Sequence, residues 1–245
     1  MYSMSTSMSY LYHILCNTLI FSMVYFRGGN MTEQNFPLYE EAVSVLKRRD
    51  KKLAWLIERV GPLSHTDLKD DFRFFIEQVI GQMLSIQAAD VMTGRLSDLC
   101  RGEMTAGAIC SLSVYELKKT GISLRKAECI REIAFMVETG SLDFGKLKEL
   151  SDAEIIKSLT AIKGIGNWTA KMYLYKINRP DVLPYEDATF LAAYKWLYRT
   201  RNVKPEAVKR RCRKWSPYSS VAAMYLYAAF DRKLIATESP KLKDL

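Results

Sequence analysis

Apolar positions recur at helical spacing along almost the whole chain. Between 38 and 60, Leu38, Ala42, Val45, Leu46, Leu53, Leu56, Ile57 and Val60 share one helical face, which predicts a helix closed by Gly61-Pro62. Residues 72–101 predict two helical segments that break near Met83–Ser85. Further helices are predicted at 105–109, 113–119, 124–139, 151–161, 167–177, 187–200, 204–214 and 217–233. Gly102, Gly121, Gly140, Gly145 and Pro180 are the stops between them. No alternating strand of useful length is evident, and no repeat or low-complexity tract. The pattern predicts an all-α fold of about nine or ten short helices around one core.

Ahead of these helices, Tyr10–Phe26 is largely apolar but interrupted by His13, Cys16, Asn17 and Ser22. No Lys or Arg precedes it and no clear cleavage site follows, which argues against a secretory signal. At about 17 residues with polar breaks it is short for a membrane span. Arg27-Gly28-Gly29-Asn30, just before Met31, is what a purine-rich ribosome-binding site would encode if read in frame. Residues 1–30 are therefore expected to be a leader outside the native protein, with 31–245 as a single helical domain.

Charge narrows the partner. The net charge of the 245-residue chain is +9, which favours a polyanion. Nine cations crowd residues 195–214: Lys195, Arg199, Arg201, Lys204, Lys209, Arg210, Arg211, Arg213 and Lys214, against the single acid Glu206. They read either as a solvated helix face or as a surface that meets phosphates and releases counterions. The five cysteines include no C-x-x-C pair and only two His occur, so no zinc site is expected. Such cysteines fit reduced, buried thiols in a cytoplasm.

The most informative stretch is LTAIKGIGNWTAKMYL at 159–174, within a run at 155–177 of two helices joined by a tight hairpin. Gly164 and Gly166 bring backbone freedom, including positive φ, to a tight turn. Ile162 and Ile165 can tuck the turn against a core, and Asn167 can cap the helix that begins near Trp168. Exposed N–H groups at such a turn and helix start form a cradle for one phosphate. Lys163 and Lys171 add charge. Taken alone, the turn reads equally well as a structural one.

Two more segments flank it in order: FRFFIEQVIGQMLSIQAADVMTGRL at 72–96, with a Gly-Gln-x-x-Ser element before an Ala-rich helix, and KWSPYSSVAAMYLYAA at 214–229. With LPYEDATF at 183–190, these motifs resemble the helix-hairpin-helix DNA glycosylase superfamily, most closely its 3-methyladenine DNA glycosylase II branch. The resemblance covers roughly 40–235. It implies the short form of the branch, without the β-containing N-terminal domain that larger members carry. It implies no cofactor: the four closely spaced C-terminal cysteines that hold an iron–sulfur cluster in some relatives are missing, and Cys212 stands alone in that region.

The resemblance also implies roles. Asp187 matches the acid of the family motif, a carboxylate that stabilises the cationic sugar and can deprotonate the attacking water. Glu186 would be a bystander; both acids read alternatively as partners of a helix N-terminus. Trp168 stands where bifunctional relatives carry a Schiff-base Lys, so an intact abasic product is expected. Lys171, three residues on, is a weak substitute for that amine. Trp168, Tyr185 and Tyr227 are candidates for an aromatic pocket that stacks a cationic alkylated purine, with core packing as the other reading for each. Lys163, Gly164, Ile165, Gly166, Asn167 and Lys171 would meet the backbone of the DNA. Gln82, Met83, Leu84 and Ser85 would supply the wedge that fills the hole of a flipped base, Met83 foremost. A monovalent cation on the backbone of Ile162 and Ile165 is a further family feature, with no metal ligand from side chains.

The function so implied is base-excision repair: hydrolysis of the N-glycosidic bond of alkylated purines in damaged double-stranded DNA, by a monomer, in a bacterial-type cytoplasm at the nucleoid, with no membrane. The alternatives are a same-fold glycosylase for uracil, hypoxanthine or oxidised guanine, a non-catalytic DNA-binding module, and a protein in which the turn only packs.

Overall fold

The computed structural model describes residues 39–63 and 70–236; the expected leader, 1–30, lies outside them. Thirteen α-helices and no strand occur among the described residues. They are α1 (Tyr39–Arg49), α2 (Lys51–Val60), α3 (Asp71–Gly81), α4 (Ile86–Leu99), α5 (Ala106–Cys110), α6 (Val114–Lys119), α7 (Leu124–Glu138), α8 (Phe144–Glu149), α9 (Asp152–Thr160), α10 (Asn167–Lys176), α11 (Ala188–Tyr198), α12 (Pro205–Cys212) and α13 (Ser219–Asp231). The chain forms two compact units. Of the described residues, 70–177 form one, and 39–63 together with 178–236 form the other.

The all-α expectation holds with more helices than the nine or ten expected, and two of the additions have a plain physical reason. The helix expected over 38–60 is two helices, because Asp50 caps α2: its carboxylate accepts from the Lys52 and Leu53 N–H groups at 3.2 and 3.3 Å. Gly145, expected as a stop, lies inside α8, where Asp143 accepts from the Gly145 and Lys146 N–H groups and starts the turn. A strong cap outweighed the cost of one helical glycine of about 1 kcal/mol. The helix expected at 204–214 ends at Cys212 and tightens into a 3-10 turn, Arg213–Trp215.

Each unit is built around a helix buried on nearly all sides. In the first, α10 buries Thr169 through Lys176 and packs against α9, while α3, α4, α5 and α6 gather on and around α7. Phe75, Phe144 and Tyr173 cluster there with centroids 5.0–6.0 Å apart. In the second, α13 buries Ser219 through Ala229 against α1, α2 and α11. Its run Ser219–Phe230 carries no charge, which suits a helix enclosed by others.

Candidate active site: a hairpin and a capped carboxylate

The hairpin is organised from both ends. A capping box opens α9: the Ser151 hydroxyl accepts from the Glu154 N–H at 3.4 Å, and the Glu154 carboxylate accepts from the Ser151 N–H at 3.0 Å. After α9 the Ile165 N–H donates to the Ile162 carbonyl at 3.0 Å, closing a four-residue turn. Ile162 and Ile165 are both buried, which pins the turn to the unit beneath it.

Gly164 is the third residue of that turn, with φ +103°. Positive φ there is the mark of a type II turn and favours glycine. Space also demands it: a Cβ on Gly164 would stand 2.8 Å from the Cys129 sulfur and 3.1 Å from its Cβ. Gly166 differs. Its φ is −101°, so it does not use left-handed freedom, and a Cβ there would meet nothing within 4 Å. Gly166, not Asn167, occupies the N-cap of α10, and no side chain caps that end. Asn167 is instead the exposed first residue of the helix. A helix start without a side-chain cap leaves its first N–H groups for an outside acceptor. Lys163 is exposed beside it, whereas Lys171 is only 9 % exposed and does not add to the hairpin's surface charge.

The connection between α3 and α4 is tied to this turn. The Gln82 side-chain amide donates to the Gly164 carbonyl at 3.0 Å. Lys126 donates to the Ile80 and Gln82 carbonyls at 2.8 and 2.6 Å, satisfying the end of α3. Burial lowers the Lys126 ammonium pKa. Two of the wedge candidates are thereby engaged otherwise: Gln82 holds the hairpin, and Ser85 caps α4 by accepting from the Ala88 N–H at 3.3 Å. Leu84 is half-buried. Met83 is 50 % exposed, at φ +60°. Neither Lys126 nor Cys129 was visible as part of the site from the sequence, because both come from α7, some 35 residues before the hairpin.

The backbone cation implied by the resemblance is compatible with these bonds. The Ile162 carbonyl accepts one hydrogen bond and keeps a second lone pair. Side chains offer nothing comparable: among the described residues no group of three or more His, Cys, Asp or Glu could hold a metal ion.

The other candidate residues belong to the other unit. Asp187 is the N-cap of α11; its carboxylate accepts from the Phe190 N–H at 2.8 Å, and its own N–H donates to the Pro184 carbonyl at 2.9 Å. It is 2 % exposed, while the neighbouring Glu186 is exposed. Capping and catalysis are compatible, since an ionised carboxylate has about four acceptor positions and the cap uses one of them. Lys209 stands 4.3 Å from the centroid of the half-buried Tyr185 ring, so one face of that ring already carries a cation. Burial, then the Glu186 carboxylate, pushes the Tyr185 hydroxyl pKa up. Tyr227 lies within α13, 1 % exposed and enclosed by the core. Trp168 is half-buried in the first turn of α10.

Comparison with known proteins identifies the family. The HhH-GPD family, described as the HhH-GPD superfamily base excision DNA repair protein, matches residues 76–217, which include the hairpin and Asp187. DNA-3-methyladenine glycosylase 1 of Schizosaccharomyces pombe is 28 % identical over 190 residues, covering 76 % of this chain and 83 % of that protein. A DNA-3-methyladenine glycosidase structure from Bacillus halodurans superposes with TM-score 0.73 at 30 % identity, covering 87 % of this chain and 95 % of the other. The S. pombe enzyme Mag1, solved in complex with abasic DNA, gives 0.71 at 27 % identity over 81 % of this chain and 100 % of the other. With more than half of its residues matched in one stretch, the chain belongs to the HhH-GPD superfamily of base excision DNA repair proteins.

Proposed function

We propose that the protein is a monofunctional glycosylase that releases alkylated purines, of the 3-methyladenine and 7-methylguanine type, from damaged double-stranded DNA. The observation that carries the reading is Asp187, a buried carboxylate fixed by the Phe190 N–H in a chain related to named 3-methyladenine glycosylases. A purine alkylated at N3 or N7 is cationic and leaves C1′ as a neutral base with the electron pair of the bond. The sugar is left with developing positive charge, which a fixed carboxylate stabilises. Water then adds its oxygen to C1′, and Asp187 takes the proton.

The chain's other residues would bind and orient. The hairpin holds a phosphate on the start of α10 with Lys163 beside it, and Met83 fills the space of the extruded base. A monovalent cation on the carbonyls of Ile162 and Ile165 would supply positive charge beside that phosphate. Trp168 is the aromatic best suited to stack a cationic base, given that Lys209 already occupies one face of Tyr185. Because Trp168 stands in place of an amine, no Schiff base forms and the abasic strand stays intact. The protein would act as a monomer in a cytoplasm, at the nucleoid.

The test is base release from methylated duplex DNA, with and without alkali, by the full chain and by Asp187→Asn. Asn caps a helix as well as Asp, so the fold is preserved while the negative charge is lost. Release of 3-methyladenine should fall by about 10²–10⁴-fold with duplex affinity kept, and strand breaks should appear only after alkali. Release by Asp187→Asn at the parental rate would remove Asp187 from the chemistry.

A further inference from the structure

The basic run at 195–214 is not simply a solvated face. Its central cations converge with others from α1 and α2, some 160 residues earlier in the chain. Arg49, Arg210, Arg211, Arg213 and Lys214 line one open depression of about 600 Å³, and Lys52 is close enough to be repelled by Arg211 and Lys214. At about 30 Å³ per water, that is room for a stretch of backbone rather than one ion.

The depression is built. Asp50 lies beneath it, 2 % exposed, accepting from Trp215 Nε1 and from Lys214 Nζ, both at 3.0 Å, and from the Tyr198 hydroxyl. Arg49 donates to the Ser216 carbonyl, and the Arg211 guanidinium packs 5.0 Å from the Tyr198 ring centroid. These contacts hold the cations together instead of letting them disperse.

The charges are not neutralised locally. Two helices, α1 and α12, end among these cations, with Arg49 in the last turn of one and Arg210 and Arg211 in the last turn of the other. Each helix end supplies about −0.5 of a charge. With Asp50 at −1, the total is roughly −2 against six cations, leaving roughly +4. Glu206 is engaged with Lys209 at 3.6 Å. Among the described residues neither Arg210 nor Arg213 makes an ion pair with a carboxylate. Burial and then the repulsion of Arg211 and Arg199 lower the Lys52 ammonium pKa despite the attraction of Asp50, as expected where like charges are crowded without a counter-anion. Planar guanidinium groups match phosphate oxygens in pairs, and no apolar side chain lines the depression to suit a protein partner.

We infer that this depression is a second contact for the sugar–phosphate backbone of duplex DNA, separate from the hairpin and carried by the other unit. The inference rests on the proposed action on duplex DNA. It predicts binding that depends on salt more steeply than one hairpin phosphate allows. Each neutralised phosphate contributes about 0.9 to the slope of log affinity against log salt.

The experiment measures that slope with the full chain and a methylated duplex, by fluorescence anisotropy. The variants are Arg210→Gln with Arg213→Gln, and as an equal charge change in the other unit, Lys118→Gln with Arg131→Gln. A fall of about 0.9–1.8 in the first pair only, with an unchanged melting temperature, is the expected result. A fall smaller than about 0.9, or an equal fall in the second pair, overturns the site. Failure of the parental chain to bind duplex DNA would instead sink the glycosylase reading.

Discussion

Replacing Gly164 by Ala tests the physical basis of the hairpin. The new Cβ would stand 2.8 Å from the Cys129 sulfur, a distance that real Cβ atoms essentially never adopt. It would also sit on a residue at φ +103°. Backbone strain of this kind costs about 1–3 kcal/mol, and overpacking a filled position costs about 1–3 kcal/mol. Gly164→Ala should therefore lose roughly 2–6 kcal/mol by urea unfolding, and with it duplex affinity. Cys129→Ala removes the sulfur but leaves the strain, at a cost of its own near 1 kcal/mol for one buried heavy atom. The double variant should recover about 1–3 kcal/mol relative to the sum of the two singles, while DNA binding stays impaired because the backbone remains strained. A double-mutant cycle additive within about 0.5 kcal/mol would refute the claim that the Cys129 thiol sets the space under the turn.

Two other buried charges give measurable outcomes. Burial opposes ionisation of Asp50, but hydrogen bonds from Tyr198, Trp215 and Lys214 outweigh it and hold its carboxyl below the usual value of 3.8. A depressed folded-state pKa means stability that is present above the unfolded pKa and lost as pH falls through the folded one. Asp50→Ala should cost about 3–5 kcal/mol at pH 7, with the melting curves of parent and variant converging below about pH 4 as the parent's carboxylate is protonated. Lys176, 5 % exposed, is lowered by burial to about 8 despite the attraction of Glu77. Its unfolded state binds more protons between about 8 and 10.5, so its penalty is full below pH 8 and fades as pH rises to 10.5. Lys176→Met should flatten that part of the stability profile by up to about 3 kcal/mol in urea titrations across the window.

Much of the candidate site was readable because its parts are local in the chain. The hairpin is one contiguous run, and its two glycines, two isoleucines and the Trp168 that replaces an amine are visible as spacing. Asp187 followed from its motif. The pocket and wedge were less readable, because whether an aromatic or amide side chain is available depends on what else reaches it. Tyr185 is met by Lys209 from a separate helix, and Gln82 is spent on a carbonyl 82 residues away. The roles of Gly164 and Gly166 looked alike in sequence and are different in structure: one satisfies a left-handed turn above a thiol, the other an open helix start.

By itself the sequence determined the helical class, most of the helices, the turn that can hold a phosphate and the carboxylate expected to act. These are short-range properties, set by a 3.6-residue period, by capping side chains and by glycine's freedom. Only the tertiary structure decided that Cys129 lies under Gly164, that Lys126 closes α3, and that Asp50 gathers Tyr198, Trp215 and Lys214 beneath a depression lined with arginines. Those pairings join residues tens to more than a hundred positions apart. They are fixed by which faces share a core, and no local pattern along the chain records them.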